Sequence, residues 1–128
     1  MSKHILVVDD DEQMRSVLQV ALESEAYVVD TASDGLIALD KILHQQEMPE
    51  VILLDLAMPR MNGLQLIEVL QRHKEACLDV IIVISGDLDG LQQANRLGIS
   101  CCLAKPFDVE TLLELVSTRV IRRDCPSI

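Results

Sequence analysis

Five side chains stand where chemistry could follow. Asp9 and Asp10 close one short apolar run, Asp55 closes a second, Ser85 closes a third, and Lys105 comes just after a fourth. If those runs pair side by side and parallel, all five reach one edge. Carboxylates gathered there repel each other by about 4 kcal/mol for a pair 4 Å apart near a protein surface. A hard divalent cation relieves that repulsion, and Mg2+ takes one or two carboxylates, waters and a phosphate oxygen. A Lys ammonium supplies a second counter-charge that can hold a phosphoryl oxygen, and the Ser85 hydroxyl can donate to the same group. The set therefore suits transfer of a phosphoryl group to a carboxylate, because an Asp side chain can act as nucleophile and form an aspartyl phosphate. Asp55 is the most isolated carboxylate and the best nucleophile; Asp9 and Asp10 are the best cation holders. Taken singly, each residue has a plainer reading. An Asp after a strand is more often a helix N-cap, as Asp11 is read here. A Lys before Pro is usually a solvated loop residue, and Ser85-Gly86 alone is a turn. The joint placement carries the argument.

The elements that must position these residues follow from hydrophobic periodicity. Strands are predicted at Ile5–Val8, Tyr27–Val29, Val51–Leu54, Val80–Ile84 and Ile99–Leu103. Between and after them, apolar residues recur at helical spacing: Met14 to Leu22, Leu36 to Leu43, Leu64 to Leu70, Leu91 to Leu97 and Val109 to Val120. Ser33-Asp34-Gly35 reads as a turn, Pro59–Gly63 as a loop, Gly98 as a helix stop and Asp108 as an N-cap. Strands alternating with helices predict an α/β fold, a doubly wound five-stranded parallel sheet flanked by five helices. The unbroken apolar runs at 5–8, 51–54 and 80–84 fit strands buried on both faces. In such sheets, ligands bind beyond the carboxyl ends of the strands.

Composition narrows the function classes. The chain has 128 residues, the size of one domain. Its 21 acids against 11 Lys and Arg leave a net charge of −10, which argues against direct binding of nucleic acid or of an anionic membrane. No apolar run approaches the roughly 20 residues of a membrane helix, and no signal peptide is read, so a cytoplasmic location is expected. Cys77, Cys101, Cys102 and Cys125 lack metal-type spacing and are expected to be free thiols, with Cys101 or Cys102 a small buried hydrophobe. His4, His44 and His73 are scattered and read as surface residues.

Val7-Val8-Asp9-Asp10, the stretch from Leu53 to Gly63 (LLDLAMPRMNG), Ile84-Ser85-Gly86 and Lys105-Pro106-Phe107 together resemble the receiver domain of two-component response regulators. The resemblance covers residues 3–121, leaving 122–128 as a frayed tail or the start of a linker. It implies strand order 2-1-3-4-5, an order for which a receiver is a standard example. It implies Asp55 as phosphoacceptor and a Mg2+ ion, or Mn2+ in its place. Asp10, Asp55 and the backbone carbonyl of Ala57 would bind that ion directly, and Asp9 through water. Ser85 would be the switch hydroxyl and Lys105 the phosphoryl contact, with a cis Lys105–Pro106 bond. The implied phosphodonor is a histidine kinase or phosphotransfer protein. The implied reader of the signal is a downstream protein or an output domain missing from this chain, acting on a monomer or a phosphorylation-dependent dimer.

The sequence departs from the family pattern in three places. Ser85 stands where Thr is common. Cys102 stands at the usual aromatic switch position, which moves the expected output to loop and helix motion. The stretch from Ser85 to Gly98 is about two residues short and carries Gly86 and Gly90, whose backbone freedom makes it a candidate mobile element. Ala57 and Asp87 line the expected path of attacking water, where Asp87 either orients a water or is a solvated acid. Two other functions compete. An aspartate-nucleophile phosphohydrolase of the haloacid-dehalogenase type fits Asp9-x-Asp11 superficially, but Gln13 and the short chain do not suit it. A pseudo-receiver that only binds is opposed by the intact Asp10, Asp55 and Lys105 set.

Overall fold

The structure, a computed structural model, describes residues 3–44, 49–73 and 78–124, the last four as backbone. Cys77, Cys125 and the rest of the tail lie outside the described residues. The order is β1 (His4–Val8), α1 (Glu12–Glu23), β2 (Val28–Ala32), α2 (Gly35–His44), β3 (Val51–Asp55), α3 (Gly63–Gln71), β4 (Ile81–Ser85), α4 (Leu88–Arg96), β5 (Cys101–Ala104) and α5 (Val109–Asp124). The five strands form one parallel sheet in the order β2-β1-β3-β4-β5. This is the doubly wound architecture expected from the sequence.

Period-2 alternation along the strands builds two cores. Leu6, Val8, Ile52, Leu54 and Val83 face α2, α3 and α4 through Ile42, Leu66, Ile67 and Ala94. Ile5, Val7, Leu53, Ile82 and Ile84 face α1 and α5 through Leu18, Leu22, Leu112 and Val116. Burial on both faces is why β1, β3 and β4 read as unbroken apolar runs.

Some boundaries differ from expectation. β2 starts at Val28 and runs on through Asp30 and Thr31 to Ala32, because an edge strand tolerates polar residues on its open side. Lys41 reaches the Asp30 carboxylate there at 2.7 Å. Val80 closes a 3-10 turn that leads into β4. Ile99 is buried but sits before β5, its N–H donating to the Ala94 carbonyl at the end of α4. α5 continues as helix to Asp124, so the stretch from Arg122 is not frayed throughout. Asp11 caps α1 as predicted, its carboxylate accepting from the Gln13 and Met14 N–H groups.

The turn after β3 is unusually close-packed. Asn62 and Gln65 form a capping box at α3, and the Gly63 N–H donates to the Leu56 carbonyl at 3.0 Å. A Cβ on Gly63 would come within 2.7 Å of the Asp55 carbonyl oxygen and 2.8 Å of Leu56 Cα. Both are backbone atoms, which cannot swing away. Gly→Ala inside an exposed helix normally stabilises by up to ~1 kcal/mol. Here Gly63→Ala is expected to destabilise by about 1–3 kcal/mol, as overpacking does. Urea unfolding should show a lower midpoint at unchanged slope; a higher midpoint would contradict this packing.

Candidate functional site: an acidic pocket at the carboxyl edge of the sheet

Parallel register delivers the ends of β1, β3, β4 and β5 to one edge. Val8 pairs with Leu54, Asp55 with Ile84, and Ser85 with Ala104. Asp9 and Asp10 therefore emerge beside Asp55, and Lys105 leaves β5 on the same side. Asp9 and Asp55 are buried, at 3% and 5% exposure, while Asp10 is exposed. One carboxylate oxygen from each of Asp9, Asp10 and Asp55 lies within 4.8 Å of the other two. The Lys105 ammonium sits 3.4 Å from Asp55 Oδ1 and 3.9 Å from Asp9 Oδ2. The Lys105–Pro106 bond is cis.

The electrostatics follow from that crowding. Burial, and then the neighbouring Asp9 charge, push the Asp55 carboxyl up to about 6, and Lys105 opposes the shift only in part. Burial also raises Asp9, against the Asp11 N–H that its Oδ1 accepts at 2.9 Å. Among the described residues, the Lys105 ammonium pairs with Asp55 and Asp9 while Asp10 adds a third carboxylate, so the carboxylates outnumber the cation paired with them. Hard oxygen donors at this spacing fit a hard divalent cation.

Around this centre the expected residues divide. Ser85 ends β4, and its Oγ accepts the Asp87 N–H at 3.0 Å. Ala57 is exposed two residues past Asp55. Asp87 is the N-cap of α4, its carboxylate accepting the Asp89 N–H at 3.1 Å. Gly90 belongs to the first turn of α4 rather than to a loop. A Cβ there would come 3.0 Å from the Leu56 side chain, so Gly90 supplies space. Cys102 is apart from the pocket. It faces the α4 side and lines a shallow groove with Leu91, Gln92, Asn95 and Arg96. Neither Cys101 nor Cys102 is fully buried, and both are free; burial still pushes the Cys102 thiol up. Three residues escaped the sequence reading. Arg15 donates to the Asp9 carbonyl at 2.8 Å, and Asp34 pairs with Arg60 of the loop that follows β3. Only the Asp-Gly turn at 34–35 gave any signal of them.

Fold and pocket define a receiver-type phosphoacceptor domain. The family model described as the response regulator receiver domain matches residues 5–117. The chain belongs to that family and is a receiver domain of two-component response regulators. It is 33% identical to sporulation initiation phosphotransferase F of Bacillus subtilis, over 91% of this chain and 92% of that protein. It is also 33% identical to the transcriptional regulatory protein CpxR homolog of Haemophilus influenzae, over 99% of this chain. There it spans about half of the relative, 54%, and 24% of the DNA-binding transcriptional regulator NtrC of Proteus hauseri. Among solved structures, the chemotaxis response regulator CheY4 of Vibrio cholerae superposes with a TM-score of 0.80 at 27% identity, covering 93% of this chain and 99% of that one. No helix among the described residues is long and apolar enough to cross a membrane.

The raised Asp55 carboxyl has a consequence for stability. Ionising it in the folded chain without a cation is disfavoured, because burial and the Asp9 charge raise the carboxyl to about 6. Well below pH 3.8 the folded and unfolded chains both hold the proton and there is no cost. As pH rises from 3.8 through about 6, the unfolded chain ionises first and stability falls. Asp55→Asn is therefore expected to raise the urea midpoint of chelator-treated protein at neutral pH. That advantage should shrink as pH falls from 6 and vanish well below 3.8. Equal midpoints at neutral pH would show that the Asp55 charge is already balanced.

Proposed function

We propose that Asp55 accepts a phosphoryl group from a histidine kinase or phosphotransfer protein. In this step an Asp55 carboxylate oxygen forms the new O–P bond, the donor's N–P bond breaks, and the released imidazole takes up a proton. The meeting of Asp9, Asp10 and Asp55 beside Lys105 carries this reading. Asp10, Asp55 and the Ala57 carbonyl would hold Mg2+, or Mn2+, with Asp9 behind them. The ion would neutralise charge on the transferring oxygens. Lys105 already bridges toward Asp55 and is placed to pair with a phosphoryl oxygen. Ser85 is placed to donate its hydroxyl to another. The chain's work is positioning and charge balance, as phosphoryl transfer requires.

The domain is a signalling switch that takes part in its own phosphorylation and dephosphorylation, and it works in the cytoplasm. The receiver covers residues 3–121, and its last helix carries into the 122–128 segment as far as Asp124. A downstream protein or an output domain reads the phosphorylated state.

With Mg2+ and a small acyl phosphate, intact mass is expected to show one added phosphoryl group on the wild type and none on Asp55→Ala. Equal addition to both would place the acceptor elsewhere. Asp87 acts as a helix cap rather than as a water holder. Asp87→Ala is expected to cost ~1 kcal/mol and to leave the rate of phosphoryl loss unchanged. A changed rate would return the carboxylate to the path of attacking water.

A further inference from the structure

The loop from Leu56 to Asn62 is gripped from the side by the start of α2. The Asp34 side chain is 5% exposed. Its Oδ1 accepts the Ile37 N–H at 2.9 Å. Its Oδ2 takes Arg60 Nε at 2.8 Å, and Arg60 Nη2 as well. One residue on, the Gly35 N–H donates to the Met61 carbonyl at 2.9 Å. A Cβ at Gly35 would collide with that oxygen, so the approach requires glycine. Two consecutive residues thus hold two consecutive residues of the loop. Arg60 itself has φ 62°, a conformation L side chains rarely adopt. It persists where the surroundings determine it.

Ala57 lies between two fixed points. Before it, Leu56 is tied to the Ile84 carbonyl at 3.3 Å and accepts from Gly63. After it come Arg60 and Met61, held by Asp34 and Gly35. Ala57 is exposed and has only a methyl side chain; its own N–H bonds the Asp55 carboxylate and Met58 after it packs against the core, so its carbonyl is constrained from both sides.

We infer that Asp34 and Arg60 are a positioning pair, whose contact sets the path of residues 57–61 and so aims the Ala57 carbonyl at the cation. The inference rests on the proposed function, in which that carbonyl is a metal ligand. Neither side chain needs to touch the ion. They act as partners that orient a ligand from behind.

The sign of one effect separates positioning from charge. Arg60→Ala removes a positive charge near an acidic pocket and leaves Asp34 uncompensated. By Coulomb's law alone, that change tightens Mg2+ binding. Loss of positioning weakens it. Mg2+ titration calorimetry on the full chain is expected to show about tenfold weaker binding for Arg60→Ala, in the range typical of residues behind metal ligands. The Arg60 side chain is 58% exposed, so the core stays intact and the thermal midpoint reports it. Asp34→Asn keeps an oxygen for the Ile37 N–H and should weaken binding similarly. The double variant should bind about as Arg60→Ala does, since both changes remove one contact. Unchanged or tighter Mg2+ binding by Arg60→Ala overturns the pair's role. A wild type that takes up no Mg2+ overturns instead the reading of the site on which the pair depends.

Discussion

Two buried carboxylates face one ammonium, and much of the molecule is arranged around that imbalance. Asp9 and Asp55 sit at 3% and 5% exposure with Lys105 at 3.4 and 3.9 Å. Asp10 adds a third acid at the rim. A lone ammonium can balance one carboxylate; the remainder is paid for by the rest of the fold or by a cation from solution. The upward shift of Asp55 to about 6 is that imbalance seen at one atom. An arrangement that costs stability when empty is suited to take up positive charge, and sites of function commonly carry such a cost.

The cost is borne by a rigid frame. β1, β3 and β4 are buried on both faces by branched aliphatic side chains, and their parallel register fixes where Asp9, Asp55 and Ser85 emerge. Reactive groups set at the ends of packed strands are held more closely than groups on free loops. The loops then add direction. Gly63 folds the acceptor turn back onto the Leu56 carbonyl, and the Asp11 cap draws the start of α1 beside Asp9.

How much of this was legible depended on the range of the interaction. Central strands announced themselves because burial on both faces leaves no polar residue within them. The ends of those strands located Asp9, Asp10, Asp55, Ser85 and Lys105, and parallel pairing was enough to gather them. β2 reaches past its apolar run at Tyr27–Val29 into Asp30 and Thr31, where the edge position and Lys41 nearby accommodate polar residues. α4 began earlier than its apolar stripe suggested, since Asp87 and Leu88 open it with an exposed first turn. Asp34 and Arg60 were invisible as a pair. They are 26 residues apart and lie on two different connections, each unremarkable alone. Pairings of that kind arise from tertiary geometry, which no local period encodes.

The two loops flanking Asp55 are held by different kinds of contact. On one side, the 56–62 loop is tied to α2 by an ion pair and a backbone bond, and to α3 by Gly63. On the other, Ser85 Oγ is engaged by the Asp87 N–H, which belongs to the residue capping α4. Under the proposed function, a phosphoryl group on Asp55 competes for the Ser85 hydroxyl. The displacement would then pass to the Asp87 cap and the start of α4. Gly90 already brings that turn against Leu56 and near Ser85. Beneath α4 lies Cys102, where a small thiol rather than a ring lines the groove with Leu91 and Arg96. A side chain of that size has little to swing. Under the proposed function, the movement that a partner reads would then be carried by α4.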